Sequence, residues 1–134
     1  MHKYIASFLL LLALFASSGV SAQPVLVFTD SQHPVFSVPE HAHVFELDQA
    51  QQLENSLSVG LNADERYSAE LAKSRLNNQI HRQLAQAYQS VVDAWTLGIQ
   101  KIPAIVVNRK YVVYGETNVA RAILRIQAYQ EAHP

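Results

Sequence analysis

Cysteine is absent from all 134 residues of the sequence. The chain therefore forms no disulfide, and thiol–disulfide exchange is excluded whatever its fold. An exported protein without disulfides depends on the packing of apolar side chains for its stability. The apolar segments of the chain must then supply a core by themselves.

Charge is also scarce. Asp, Glu, Lys and Arg make up 16% of the sequence, and the formal net charge is −1. Proteins that bind nucleic acid or anionic lipid through electrostatics carry a surplus of basic residues, which this chain lacks. We therefore expect no direct contact with nucleic acid.

Long apolar runs are missing except at the N-terminus. Residues 5–16 are almost all apolar, with a short basic start before them and small residues up to Ala22 after them. This three-part pattern is typical of a secretory signal peptide, and the run is shorter than the roughly 20 residues that span a bilayer. We predict cleavage after Ala22, one exported domain over residues 23–134, and no stable membrane span; the alternative is a retained anchor.

Residues 101–115 predict a β-hairpin near the end of the chain. Its strands, residues 105–107 and Tyr111–Tyr114, are β-branched or aromatic, and a short polar turn joins them. Such a turn is too short for a parallel crossover, so the strands should be antiparallel. Pro103 opens the first strand, where its missing N–H does least harm. Tyr111 and Tyr114 should lie on opposite faces, which leaves one of them exposed.

Apolar strands and amphipathic helices alternate along the rest of the chain. Residues 24–29 predict a central strand buried on both faces, and residues 44–47 predict a second strand after an irregular loop. Asp48 is a candidate N-cap for a helix over Gln49–Ser58, with Gly60 at its C-terminal stop.

Two further helices are predicted from apolar stripes. A helix of about 30 residues is expected from an Asn62 cap to Leu97, with Tyr88 and Trp95 in its buried stripe and a bend near Asn77. The last helix should begin at a cap residue, and its stripe should pack on the sheet. The candidate caps are Thr117 and Asn118, and the stripe is Val119, Ala122, Ile123, Ile126 and Tyr129.

This order of elements predicts an α/β fold, a single domain with a mixed sheet of about four strands, a long helix and a C-terminal helix. Two parallel strands followed by an antiparallel hairpin resemble the thioredoxin core, in which a cis-proline begins the third strand. Pro103 occupies the matching position, and we predict that its peptide bond is cis; the alternative is a trans proline that opens an edge strand.

Redox members of the thioredoxin fold carry two cysteines after the first strand, where residues 29–33 here have no thiol. The resemblance implies that the main chain of the residue before the cis-proline, Ile102, is free to pair with an extended partner segment. The predicted partner-binding residues are Ile102, Pro103, Thr29, Asp30, His33 and Tyr114.

An alternative site lies in the early loop. His33, His41 and His43, with Asp30 or Glu40, contain ligands for zinc or copper. Ser31, His33 and Asp30 are also the residue types of a hydrolytic triad, although adjacent residues rarely reach triad geometry. The alternative function is therefore a metal-binding or hydrolytic enzyme that uses this loop.

Several segments together resemble a family of small exported proteins encoded in bacterial integrating conjugative elements. The segments are 27–30 with 33–35, 82–85 with 87–88, and the block 94–99, 101–107 and 111–115. The resemblance implies a periplasmic role in a conjugative type IV secretion apparatus, in assembly or substrate transfer, with other apparatus proteins as partners. It supplies no catalytic residue, so we expect a non-enzymatic protein without a cofactor.

Overall fold

The structure, a computed structural model, describes residues 22–59, 61 and 65–134, apart from the side chain of residue 65. Strands and helices alternate in this part of the chain as an α/β fold. The elements are β1 (Val25–Thr29), β2 (Ala42–Glu46), α1 (Gln49–Ser58), α2 (Glu65–Arg75), α3 (Asn78–Thr96), β3 (Ala104–Val107), β4 (Tyr111–Tyr114) and α4 (Val119–Ala132).

The four strands form one mixed sheet in the order β2-β1-β3-β4. Strand β1 is parallel to β2 and antiparallel to β3, and β3 is antiparallel to β4. The continuous apolar run Val25–Thr29 lies at the centre of the sheet, with four of its five residues buried. The predicted central strand and mixed sheet are thus confirmed.

Side chains alternate between the two faces of the sheet, and each face has its own core. One core lies under α4 and the other under α3. The first contains Val25, Val27, Ile105, Val107, Val119, Ala122 and Ile126. The second contains Phe28, Ala94, Ala104 and Val106, and the Phe28 ring stacks on the Phe45 ring with centroids 5.1 Å apart.

An irregular segment, residues 30–41, connects the parallel strands β1 and β2. Parallel strands need a long crossover, usually a helix. Here the segment is bonded to the start of α4 instead: the Phe36 N–H donates to Thr117 O at 2.9 Å, and the Val119 N–H donates to Phe36 O at 3.0 Å. The predicted loop therefore exists, although β2 begins at Ala42, two residues before the predicted start of that strand at residue 44.

The single long helix predicted after residue 60 is wrong. Helix α2 ends at Arg75 and α3 begins at Asn78. The side chain of Asn77 accepts a hydrogen bond from the Ile80 N–H at 2.9 Å and so caps a new helix rather than bending an old one. The expected Asn62 cap and Gly60 stop lie outside the described residues.

The prediction that Tyr88 and Trp95 belong to the core is also wrong. Their exposed fractions are 50% and 82%. Helix α3 instead turns its small residues Ala87 and Ala94 to the protein interior, where Ala94 packs beside Phe28. Tyr88 and Trp95 each directly follow one of these alanines. Since successive residues are about 100° apart around a helix, both lie to the side of the buried face of α3.

The hairpin is confirmed, and so is the cis peptide bond between Ile102 and Pro103. The turn after β3 places Asn108 and Arg109 at φ 54° and 53°, the left-handed values of the tight turns that suit hairpin twist. Tyr111 packs against the core on the α4 side, whereas Tyr114 is 38% exposed.

Asn118 is the cap of α4, because its side-chain oxygen accepts from the Arg121 N–H at 3.0 Å. Of the stripe predicted for this helix, Val119, Ala122 and Ile126 are buried. Tyr129 is exposed, and its ring lies 6.1 Å from that of Tyr111. Within the described part of the chain, no helix has both the length and the apolar character needed to cross a membrane.

Candidate partner-binding site

The end of β1 and the start of β3 meet at one edge of the sheet. Because Phe28 pairs with Ala104 in antiparallel register, the chain leaving β1 at Asp30 runs beside the chain that enters β3 from Ile102. Both of these residues line a surface groove of about 530 Å³, called the Ile102 groove below. Its other lining residues include Leu47, Asp48, Gln51, Glu54, Tyr88 and Val91.

Ile102 lines this groove, and its main-chain groups are unpaired within the described part of the chain. Its side chain is half-buried against the core under α3. Its N–H and C=O make no hydrogen bond with any residue that the structure describes. The next residue, Pro103, is buried, and its carbonyl accepts from the Gly115 N–H at 2.9 Å. Of these two residues, Ile102 therefore lines the groove, and Pro103 connects this segment to the hairpin through its bond with Gly115.

Asp30 organises the turn that follows β1. Its Oδ1 accepts from the main-chain N–H of Gln32 at 3.0 Å and of His33 at 2.9 Å, and it lies 2.6 Å from Nδ1 of the His33 ring. An aspartate that bonds the main chain two and three residues onward stabilises a tight turn. Thr29 is buried, and its hydroxyl donates to His33 O at 2.5 Å, which closes the turn from inside.

Asp48 holds the same turn from the other side. Its two carboxylate oxygens each accept from the Ser31 N–H at 3.2 Å, and one accepts from the Ser31 hydroxyl at 2.5 Å. Gln52 Nε2 donates to that oxygen as well, at 2.9 Å. The hydrogen bond from the Ser31 hydroxyl, followed by that from Gln52, lowers the pKa of Asp48, because both stabilise the charged carboxylate.

The prediction that the Asp48 side chain caps α1 is wrong. Asp48 directly precedes α1, yet its side chain makes no capping hydrogen bond to the helix main chain. The carboxylate bonds instead to Ser31, 17 residues earlier in the chain. Sequence reasoning missed Asp48 as a site residue, since no local pattern signals a partner at that distance.

Glu54 and Tyr88 connect two helices at the groove. The Tyr88 hydroxyl, on α3, donates to Oε1 of Glu54, on α1. This hydrogen bond and the negative charge of Glu54 raise the pKa of Tyr88, because both disfavour the phenolate. The two side chains keep α1 and α3 together at the groove.

The structure separates the predicted partner-binding residues into three sets. Asp30 and Ile102 line the groove, and His33 contacts Asp30 beside it. Thr29 and Pro103 are buried behind it. Tyr114 is not among the groove residues: it lies on β4, where its hydroxyl oxygen accepts from the Gln100 N–H at 3.4 Å.

The alternative site in the early loop has no matching geometry in the described residues. They contain no group of three or more His, Asp or Glu side chains placed to hold a metal ion. Ser31 bonds to Asp48 while the His33 ring contacts Asp30, so different carboxylates hold the serine and the histidine. A Ser–His hydrogen bond, which a triad requires, is not among the contacts of this turn.

One protein-family model matches most of the chain. The model of a family of unknown function, DUF1525, matches residues 22–132. The chain belongs to the DUF1525 family. No curated protein and no solved structure matches it. The DUF1525 match runs from before β1 into the last turn of α4, so the Ile102 groove lies wholly within the family's domain.

Proposed function

We propose that this DUF1525 protein is a non-enzymatic periplasmic component or assembly factor of the type IV secretion apparatus of an integrating conjugative element. It acts through protein contacts at the Ile102 groove. The observation that carries the proposal is the unpaired main chain of Ile102 beside a groove in a protein without cysteine. A thioredoxin-type site with no thiol retains recognition and loses redox chemistry.

A thioredoxin-like fold is part of this proposal. The sheet order β2-β1-β3-β4, the cis-proline before β3 and the C-terminal helix packed on the sheet support it. Two features depart from that core. An irregular segment replaces a helix between β1 and β2, and the additional helix α2 precedes α3.

Recognition would use the free main-chain groups of Ile102. An extended partner segment can donate to its C=O and accept from its N–H, as an added strand does at a sheet edge. Each such hydrogen bond contributes about 0.5–1.5 kcal/mol net. Side-chain contacts in the groove must supply the rest of the affinity and the choice of partner.

The proposed role in conjugation rests on the resemblance in residues 94–99, 101–107 and 111–115. These residues form the end of α3, the approach to β3 and the hairpin, which are the elements around Ile102. Ile102 of these segments, together with Asp30 and Tyr88 from the other resembling segments, lines the groove that we assign to partner binding.

The test is conjugation frequency in a strain whose gene is deleted and then restored as a variant. We expect deletion to lower transfer and the wild-type gene to restore it. Gln51→Trp fills the groove from α1 without removing a core side chain, so it should fail to restore transfer. Gln127→Trp, the matched change on the exposed surface of α4, should restore it.

Unchanged transfer after deletion, or full restoration by Gln51→Trp, would contradict the proposal. A third variant separates the enzyme alternative, in which His33, His41 and His43 are all replaced by Ala. An adaptor that works through the Ile102 groove should tolerate this change. Loss of transfer in this variant, with Gln51→Trp active, would favour the metal-binding or hydrolytic enzyme.

A further inference from the structure

We infer that the occupant of the Ile102 groove is an extended segment of another protein in which apolar residues alternate with Lys or Arg, and that Trp95 anchors it. This rests on the proposed function and adds the chemistry of the partner. Three properties of the surface carry the inference: its charge, its apolar floor and its continuation along α3.

All the charges in the groove lining have one sign. Asp30, Asp48 and Glu54 line it, and no Lys or Arg is among its described lining residues. Hydrogen bonds hold these carboxylates in place: the Ser31 hydroxyl bonds to Asp48, and the Tyr88 hydroxyl bonds to Glu54. The His33 ring beside Asp30 offsets part of this charge when protonated. Fixed carboxylates around a groove attract a basic segment and repel an acidic one.

The remaining lining side chains include apolar ones at half-buried positions. Leu47, Val91 and Ile102 come from three separate parts of the chain and leave apolar surface among the carboxylates. Side chains of an extended segment point alternately to opposite sides. A segment that alternates apolar and basic residues can therefore place apolar side chains on this floor and basic ones at the acidic rim.

The apolar surface continues beyond the groove along α3. Val91 lines the Ile102 groove and also a second depression of about 520 Å³ that Val92, Trp95 and Thr96 complete. Val92 is 53% exposed and Trp95 is 82% exposed. Trp is among the residues most enriched at the energetic centres of interfaces. An exposed Trp next to a charged groove marks the place where a bound segment would be anchored.

A second copy of this chain does not suit the surface. In a dimer whose two-fold axis passes through the groove, Asp48 and Glu54 of one copy would face the acidic patch of the other. Like charges brought together at an interface oppose association. The charge of the groove thus favours a different, basic chain as the occupant.

The experiment uses Trp95 itself, because it is the sole tryptophan of the sequence. Protein expressed as the full chain and purified from the periplasm is titrated with two short synthetic peptides, one alternating Lys and Val and the other alternating Glu and Val. We expect the Lys–Val peptide alone to shift Trp emission to shorter wavelength and to saturate. Added salt should weaken its binding.

Variants then locate the binding. Asp48→Asn combined with Glu54→Gln keeps hydrogen-bonding groups in place but removes two charges, and should slow association about three- to tenfold at low salt. Trp95→Ala should raise the Kd for the Lys–Val peptide at least about thirtyfold, as expected for a hot-spot residue. Calorimetry measures this Kd, because the variant has no tryptophan to report binding. Tyr129→Ala and Glu131→Gln on α4 are the matched controls and should bind as the wild type does.

Equal binding of both peptides, or no binding of the Lys–Val peptide, would overturn the inference. So would self-association that buries Trp95 without peptide. These results are separable from the proposed function. If Gln51→Trp abolishes transfer while the peptides fail to bind, only the partner chemistry is wrong. If Lys–Val binds at the groove while Gln51→Trp restores transfer, the partner chemistry stands and the proposal that conjugation uses the groove falls.

Discussion

At the residue scale, two carboxylates hold the turn after β1. One of them, Asp30, belongs to the turn, and the other, Asp48, is distant from it in the sequence. Asp30 bonds residues two and three positions ahead, a local pattern that a sequence can suggest. Asp48 bonds Ser31 across 17 residues, and that pairing exists only because β1 and β2 are adjacent and parallel. Asp30 was predicted as a site residue from its place after β1 in the thioredoxin resemblance, whereas Asp48 was predicted only as a helix cap because no local pattern signals its distant partner.

The lowered pKa of Asp48 predicts a pH dependence of stability. A carboxylate whose pKa is lower in the folded state stabilises the fold above its unfolded pKa, about 3.9. That contribution is lost as pH falls through the lower folded-state pKa, when the bonds from Ser31 and Gln52 lose their charged acceptor. Between neutral pH and about 4, the contribution should remain whole.

Asp48→Asn should remove this dependence. Urea unfolding at a series of pH values should show the wild-type free energy of unfolding falling more steeply below about pH 4 than that of the variant. Glu131→Gln, on the exposed end of α4, controls for the loss of a charge. Parallel curves for wild type and Asp48→Asn would show that the Ser31 contact does not stabilise the fold.

At the element scale, helix α3 shows how far an apolar pattern can be interpreted. The prediction followed large residues and so placed Tyr88 and Trp95 inside. The structure buries Ala87 and Ala94 instead, and the small Ala94 packs beside Phe28 of the sheet. The spacing of these alanines, seven residues apart, was present in the sequence and marks the same helix face. Size was the wrong criterion, since a large apolar residue can equally serve a surface.

The start of α4 gives a prediction at this scale. Asn118 accepts from the Arg121 N–H, and the neighbouring Val119 N–H donates to Phe36, so the cap also fixes the segment between β1 and β2. Asn118→Ala should lower the free energy of unfolding by about 1 kcal/mol, the usual cost of a lost N-cap. Denaturant unfolding measures it.

Asn78→Ala is the matched control for that change. Asn78 is exposed at the first position of α3, after the Asn77 cap, where Ala is the better helix former. Its substitution should leave stability unchanged or slightly raised. An equal loss of unfolding free energy in Asn78→Ala and Asn118→Ala would mean that the capping hydrogen bond of Asn118 does not stabilise the protein.

At the scale of the whole molecule, the sequence was informative wherever local signals agree with tertiary contacts. The hairpin, the central strand and α1 each follow from a run of fewer than a dozen residues, and each was confirmed. The groove was only partly predictable. Ile102 and Asp30 were expected to meet, but Glu54, Tyr88 and Val91 arrive there through the packing of α1 on α3, which no local pattern specifies.

The two cores of the molecule also predict which large side chains matter for folding. Phe28 is wholly buried between β1 and α3, stacked on Phe45, and Phe28→Ala should cost about 3–5 kcal/mol. Trp95→Ala removes a larger side chain that is mostly in solvent, so the free energy of unfolding should change by no more than about 0.5 kcal/mol. Urea unfolding of both variants makes the comparison, and a loss from Trp95→Ala near that of Phe28→Ala would place Trp95 in the core. A stable Trp95→Ala protein that no longer binds the basic peptide would show that this side chain serves recognition rather than folding.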